Sequence, residues 1–235
     1  MLAFSIFVSG SFTFGSLIAN EISPELLTFY RFLIATIILG VILYFNKSIY
    51  AHHLKNIWRY FVLGAIYSIY FVFMFVALKY TTTVSTAAIF TLLPLFAALL
   101  ERLFLKKSSP VLIWAALILS GMGALWIIFE GSINGLFQFR FEEGEAIFLV
   151  GTICYASYAI IQPKLFEGEN IYVTTLGVLA AGSIILAISL ILQQSSFIVH
   201  KITFEVFWVI FYLAIFASIG SVSYTHLRAH ETVSD

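Results

Sequence analysis

Eight long apolar runs, separated by short polar segments, constrain this chain more than any other feature of its sequence. A helix needs roughly 20 mostly apolar residues to cross a bilayer, and the runs lack the alternating polarity of barrel strands. They therefore predict an all-α polytopic membrane protein with about eight transmembrane helices. The predicted spans cover residues 1–20, 26–45, 57–78, 83–105, 111–129, 145–163, 172–192 and 205–220.

The composition supports a membrane protein and excludes other classes. Of the 235 residues, 61% are hydrophobic and 10% are charged, whereas about 25% of the residues in a soluble domain are charged. The 12 basic and 12 acidic residues balance, with no basic cluster to meet phosphates, so a nucleic-acid partner is excluded. The single cysteine, Cys154, excludes a disulfide framework and a cysteine zinc site. Neither a metal nor a cofactor is predicted.

The distribution of basic residues predicts the orientation of the chain. With the N-terminus in the cytoplasm, seven basic residues lie in inner segments and three in outer segments. The inner set is Lys47, Lys55, Arg59, Arg102, Lys106, Lys107 and Lys164, and the outer set is Lys79, Arg140 and Lys201. We therefore predict an integral protein of the cytoplasmic (inner) membrane with its N-terminus inside.

The composition changes abruptly after Gly220. Residues 222–232 read VSYTHLRAHET, which matches the translation of a sequencing adapter used in transposase-based library preparation. We therefore interpret residues 222–235 as a non-native tail, exclude them from functional reasoning, and expect the natural chain to continue beyond Gly220. A genomic reading frame that encodes this tail would contradict the interpretation.

Several short motifs, each weak alone, occur in a specific order along residues 1–220. In the first half they are Ser23-Pro24 with Arg31 seven residues after the proline, Ala77-Leu78-Lys79-Tyr80, Pro94-Leu95 and Gly121-Met122-Gly123. In the second half they are Gly144-Glu145-Ala146, Tyr155-Ala156-Ser157-Tyr158 and Tyr212-Leu213-Ala214. Because the motifs occur in this order and with this spacing, the chain resembles the EamA-like members of the drug/metabolite transporter superfamily.

The resemblance implies ten helices in two five-helix repeats of inverted 5+5 topology, since an odd number of helices reverses the second copy. The spans agree, because those near 1, 26 and 57 recur near 145, 172 and 205, at offsets of about 144 to 148 residues. We therefore divide the chain into three parts. They are a first EamA-like repeat (1–129), an outer loop (130–144) and a partial second repeat of three helices (145–220).

Arg31 is the charged residue that lies most clearly inside a predicted span. A charge in the bilayer is costly unless it is solvated, paired or able to reach the interface. One interpretation is an anion-binding group on the substrate route. The other, which its closeness to the outer end of the second span favours, is an arginine that reaches outward to Glu21, Glu25 or lipid headgroups.

Pro94 lies near the centre of the fourth span, where it removes a helical hydrogen bond and frees the carbonyl of Phe90. Transporters often place substrate sites and hinges at such interruptions. A packing kink that neighbouring helices accommodate is the equally weighted alternative. Pro94 is therefore a candidate site residue with two open interpretations.

Two tyrosine pairs complete the candidate substrate site. Tyr67 and Tyr70 share one face of the third span, and Tyr155 and Tyr158 repeat this spacing on the sixth. A hydroxyl inside a membrane needs a partner or water, so these pairs are candidates to line a polar cavity, joined by Ser11 of the first span. Interhelical hydrogen bonding is the alternative.

These observations, with the resemblance, predict a secondary transporter that moves a small metabolite, such as an amino acid, by alternating access. The resemblance suggests export, and the expected cavity lies between helices one, three, four, six and eight. The expected partners are a small-molecule substrate and the lipid bilayer, and the oligomeric state stays open. No catalytic residues are predicted. The alternatives are a membrane-embedded enzyme acting on lipid or sugar, and a non-transporting membrane scaffold.

Overall fold

The computed structural model describes residues 2–47, 56–106, 110–129, 131–132, 142–194 and 203–215, and within these ranges the regular structure is helical throughout. The eight predicted spans correspond to eight helices. They are α1 (Leu2–Ile18), α2 (Pro24–Phe45), α3 (Trp58–Ala77), α4 (Thr83–Leu105), α5 (Val111–Ile128), α6 (Glu143–Leu165), α7 (Ile171–Leu192) and α8 (Phe204–Tyr212). Most of the predicted outer loop and the whole of the predicted tail lie outside the described residues.

The helices begin where the sequence changes from polar to apolar. Four of them start after a residue whose side-chain oxygen accepts an N–H of the first turn. These residues are Ser23 for α2, Thr82 for α4, Asn170 for α7 and Thr203 for α8. At the start of α6, Glu142 and Glu145 form a capping box, in which each side chain accepts the backbone N–H of the other residue.

Six of the described helices, α2 to α7, are long and apolar enough to cross a membrane. The described apolar segments in α1 and α8 are shorter, at Val8–Ile18 and Phe204–Ile215. Large apolar side chains project outward from the bundle; Val111 and Leu112 of α5, for example, are 85% and 81% exposed. Such a surface is suited to lipid rather than to water, and the prediction of a polytopic membrane protein is confirmed.

Helix α3 lies at the centre of the bundle and packs against α2, α6 and α7. Helix α2 also packs against α7 and α8, and α1 packs against α4 and α8. Helix α4 contacts α5 and α6. Helices α1, α2, α3, α4 and α6, which carry the candidate residues, are therefore connected by direct packing contacts.

Gly64 allows α3 and α7 to approach each other closely. A Cβ added to Gly64 would lie 2.8 Å from the backbone nitrogen of Gly182 and 3.0 Å from the carbonyl oxygen of Val178. Both neighbours are backbone atoms, which cannot turn away as a flexible side chain can. Small residues at such contacts let membrane helices pack at short distance.

We expect Gly64→Ala to lower the free energy of unfolding by about 1–3 kcal/mol, because the added methyl group overpacks the α3–α7 contact. Gly123→Ala is the matched control, since a Cβ at Gly123 meets no atom within 4 Å. The measurement is thermal unfolding of both purified variants in detergent. Equal melting temperatures for the two variants would contradict the close approach.

Candidate functional site

The interior of the bundle contains a cavity between α1, α2, α3, α4 and α6. Its volume is about 30 Å³, which is enough for water but not for a metabolite. The polar residues that line it are Ser11, Arg31, Tyr67, Tyr70 and Tyr155, and the apolar ones are Val8, Phe12, Phe71, Met74 and Phe90. Five of the seven candidate residues therefore lie around one space, and Tyr158 and Pro94 lie outside its lining.

The helices around the cavity differ in one respect from those expected. Helix α2 contributes Arg31, whereas no described residue of α8 lines the cavity. Helix α8 packs instead against α1 and α2. Around this cavity, the described residues therefore include helices one, three, four and six of the expected set, and the participation of helix eight in the substrate route stays a prediction.

Arg31 points into the bundle rather than outward to the membrane surface. Its side chain is 0% exposed, and its guanidinium carbon lies 3.8 Å from the centre of the Phe71 ring. Helix α2 begins at Pro24, so Arg31 lies two turns inside the helix, on the face that packs against α3. The favoured outward arrangement towards Glu21 or Glu25 is wrong, because the cationic group is held over an aromatic face of α3 instead.

The two tyrosine pairs interleave between α3 and α6. The ring centroids of Tyr70 and Tyr155 are 4.5 Å apart, and those of Tyr67 and Tyr158 are 4.7 Å apart, both in stacked geometry. Tyr155 and Tyr158 are themselves nearly parallel, at 7° between the rings. Tyr67, Tyr70 and Tyr155 line the cavity. Tyr158 lies outside the lining and stacks on Tyr67 and Tyr155.

Four other buried hydroxyl groups of the bundle form hydrogen bonds within their own helices. Each donates to the carbonyl oxygen four residues earlier, at distances between 2.7 and 2.9 Å. The four residues are Thr28, Ser68, Thr152 and Ser183. Because these groups are satisfied locally, they do not mark a substrate site.

Pro94 interrupts α4 but does not touch the cavity. The helix is divided into Thr83–Phe90 and Leu93–Leu105, and Pro94 lies in the first turn of the second half. The side chain of Pro94 is exposed, whereas Phe90, at the end of the first half, lines the cavity. The interruption is present in the structure, and Pro94 lies outside the lining of this cavity, so its role at a substrate site stays a prediction.

Phe71, Met74 and Phe90 line the cavity although they were not among the candidate residues. Phe71 and Met74 follow Tyr67 and Tyr70 by four residues and therefore lie on the same face of α3. This four-residue spacing could have identified Phe71 and Met74 from the sequence. The sequence signal for Phe90 is weaker, because it consists only of the position of Phe90 before the interruption that Pro94 creates in α4.

A second polar cluster, the Arg59 clamp, joins the start of α3 to the end of α6. It consists of Arg59, Leu165, Phe166 and Glu169. The Arg59 guanidinium donates a hydrogen bond to the Leu165 carbonyl oxygen, and its Nη2 lies 2.9 Å from Glu169 Oε1. Its carbon lies 4.5 Å from the Phe166 ring centre. Both charged side chains are largely buried, at 14% and 19% exposure.

The clamp and the tyrosines lie in sequence along the contact between α3 and α6. Arg59 precedes Tyr67 by eight residues, or about 12 Å along the helix axis. Tyr67 and Tyr158 meet between the clamp and the level of Tyr70 and Tyr155. The end of the bundle at which α3 begins is therefore closed by two successive contacts between α3 and α6.

Comparison with known proteins gives family and fold. The sequence model of the EamA-like transporter family matches residues 1–129. The chain is 28% identical over 221 residues to an uncharacterized transporter, YyaM, of Bacillus subtilis (strain 168), covering 93% of this chain and 72% of that protein. It is 26% identical over 189 residues to an uncharacterized transporter of Archaeoglobus fulgidus, covering 79% of this chain and 64% of that protein.

Solved structures include a protein with a similar fold. It superimposes with a TM-score of 0.61 over 91% of this chain and 74% of the other chain, at 16% sequence identity. This likeness shows a shared fold, independently of the match to the family.

Proposed function

The chain belongs to the EamA-like transporter family, and on this premise we propose that it is a secondary carrier that moves small metabolites, such as amino acids, by alternating access. The observation that carries the proposal is the interior cavity, where a buried cation, hydroxyl groups and aromatic rings from five helices converge. Polar and charged groups inside a membrane bundle are costly, and they commonly mark substrate pathways.

Two finer features complete the proposal. The carrier lies in the cytoplasmic membrane with its N-terminus inside, as the excess of basic residues in the inner segments indicates. It works as an exporter, the direction that the resemblance suggests. The coarser statement, that the chain is an integral membrane protein of a transporter family, stands on the apolar helices and the family match.

Inverted repeats are the proposed basis of alternating access, and the helix contacts support them. A two-fold axis in the membrane would exchange α1 with α6, α2 with α7 and α3 with α8. The contact of α3 with α6 then corresponds to that of α8 with α1, and the contact of α3 with α7 corresponds to that of α8 with α2. Helix α2 packs against its own counterpart, α7. All of these pairs occur in the bundle.

Contacts between individual residues support the same proposed correspondence. Tyr67 packs against Tyr155 and Tyr158 of α6. At an offset of 145 residues lies Tyr212 of α8, whose hydroxyl occupies the position of a Cβ on Gly10, and whose ring centre is 4.8 Å from that of Phe14. Gly10 and Phe14 precede Tyr155 and Tyr158 by 145 and 144 residues, within the offset range of the spans.

The contacts along α3 and α6 define what has to move in such a mechanism. The Arg59 clamp and the Tyr67–Tyr158 stack close the end of the bundle that the basic residues assign to the cytoplasm. Both contacts join the first proposed repeat to the second. In the inward-open state these two contacts separate, and the cavity enlarges enough to admit a metabolite.

An enzyme acting on lipid or sugar would need a cluster of reactive side chains at one interface. The densest acidic group in the sequence contains Glu142, Glu143 and Glu145. Glu142 and Glu145 are engaged in the capping box at the start of α6, and Glu145 is 3% exposed. This gives the two carboxylates a structural role and favours the carrier over the enzyme. A non-transporting scaffold does not explain why a cationic side chain is buried in the lining of the cavity.

The test is solute counterflow with the complete gene product in proteoliposomes. This exchange assay needs no coupling ion, so it detects a carrier whose driving force is unidentified. We expect labelled uptake from a panel of amino acids, organic acids, amines and sugars, with protein-free liposomes as the control. Faster uptake into inverted than into right-side-out membrane vesicles would support export. No uptake of any compound would refute the proposal.

A further inference from the structure

The cavity has a defined electrostatic character. Among the described residues that line it, the only formally charged side chain is that of Arg31. Its guanidinium is fully buried and lies over the Phe71 ring. Glu25, on the same helix, lies near the start of α2 and outside the lining. The described lining therefore carries one formal positive charge, on a side chain that is fully buried.

A buried guanidinium is well suited to one kind of ligand. Its attraction to an anion is stronger in a medium of low dielectric constant than in water. Its planar set of N–H donors matches the two oxygens of a carboxylate. Ser11, Tyr67 and Tyr70 line the same cavity, and each carries a hydroxyl group, a side-chain type that can donate a hydrogen bond.

The other residues of the lining indicate the shape and polarity of the part of a ligand that adjoins its carboxylate. Phe12, Phe90 and Tyr155 present aromatic surface, and Met74 adds a polarizable apolar side chain. Phe90 and Tyr155 have ring centroids 6.0 Å apart in stacked geometry. An apolar body next to the anionic group would be in contact with these side chains.

We infer that the substrate carries a single carboxylate that pairs with Arg31, and an apolar body that lies against the rings of Phe90 and Tyr155. This inference rests on the proposed function and names its substrate class. One cation balances one negative charge, so a dianionic phosphate ester would keep an uncompensated charge in the cavity. A simple monocarboxylate satisfies the requirement directly, whereas a zwitterionic amino acid also brings an ammonium group, which the aromatic faces of Phe90 and Tyr155 would have to accept.

The test compares each acid with its primary amide, which has nearly the same shape but lacks the negative charge of the carboxylate. The probes are 3-phenylpropionate, 4-methylpentanoate, L-phenylalanine and L-leucine, the primary amide of each, and phenyl phosphate. Dissociation constants come from ligand-induced thermal stabilisation of the complete gene product in detergent. We expect a carboxylate to bind at least about tenfold more tightly than its amide and than phenyl phosphate.

Variants of Arg31 assign this preference to the guanidinium. Arg31→Gln should remove the preference for the acid, and Arg31→Lys should keep part of it, since lysine retains the charge but not the planar donors. Arg102→Gln is the matched control, because Arg102 is exposed and lies outside the cavity lining. If Arg31→Gln does not fold, the comparison of acid and amide in the unaltered protein still decides the question.

The outcomes separate the inference from the proposed function. Equal binding of acids and amides, tighter binding of phenyl phosphate, or a preference that survives in Arg31→Gln would overturn the inference. If the counterflow panel then shows transport of amines or sugars, the carrier function stands without a carboxylate substrate. If no compound binds and none is transported, both fail.

Discussion

Tyr67→Ala is expected to lower the free energy of unfolding by about 3–5 kcal/mol, which is the usual cost of deleting a buried aromatic side chain. The ring is 6% exposed and lies where three helices meet. Its centroid is 5.5 Å from that of Phe32 on α2, 4.7 Å from that of Phe71 on α3 and 4.7 Å from that of Tyr158 on α6. Its removal leaves a void that these rings cannot fill without moving. Thermal or denaturant-induced unfolding in detergent measures the effect.

Tyr67→Phe separates the contribution of the ring from that of the hydroxyl. This variant keeps the stack and should stay within about 1.5 kcal/mol of the unaltered protein, the scale of one hydrogen bond. In counterflow, Tyr67→Ala should also leak at the end of the bundle that the Tyr67–Tyr158 stack closes, whereas Tyr67→Phe should not. A similar loss of stability in both variants would show that the hydroxyl, rather than the packing of the ring, holds the three helices together.

Arg59→Glu is expected to reduce the counterflow rate at least about tenfold and to lower the free energy of unfolding by about 1.5–3 kcal/mol, the scale of a hydrogen bond to a charged group. The change removes the hydrogen bond to the Leu165 carbonyl and the contact with the Phe166 ring. It also places a second carboxylate beside Glu169, in a largely buried position. Like charges at this distance repel most strongly where water is excluded.

The reversed pair, Arg59→Glu with Glu169→Arg, tests whether attraction across the clamp causes the loss. The double variant restores opposite charges, so it should recover part of the stability and of the rate. Full recovery is not expected, because a glutamate at position 59 cannot donate to the Leu165 carbonyl. Arg102→Glu is the control for a general effect of charge, since Arg102 is exposed. A double variant no better than Arg59→Glu would show that the ion pair contributes nothing to the clamp.

Properties that lie within single helices were predicted correctly from the sequence. The eight spans match eight helices to within a few residues at most ends, because apolar length and capping side chains are local. The interruption of α4 follows from Pro94 in the same way, since a proline removes a hydrogen bond of its own helix. The shared face of Tyr67 and Tyr70 follows from the helical repeat alone.

The orientation of Arg31 shows where such local reasoning ends. Its distance from the outer end of α2 favoured an outward side chain, and that distance was read correctly. The position of Arg31 along α2 does not determine how α2 is rotated about its own axis in the bundle. That rotation is set by packing against α3, α7 and α8, and it turns the guanidinium towards Phe71 and the cavity.

The sequence by itself therefore determined the class of protein, the approximate bounds of the helices among the described residues, and the polar residues available to a site. Each of these depends on the transfer of one segment into a bilayer or on the geometry of one helix. Only the tertiary structure decided that Tyr67 stacks on Tyr158, that Arg31 of α2 lines the cavity, and that Arg59 reaches a carbonyl 106 residues away. These contacts join helices that are remote in sequence, and their pairing depends on how the whole bundle packs.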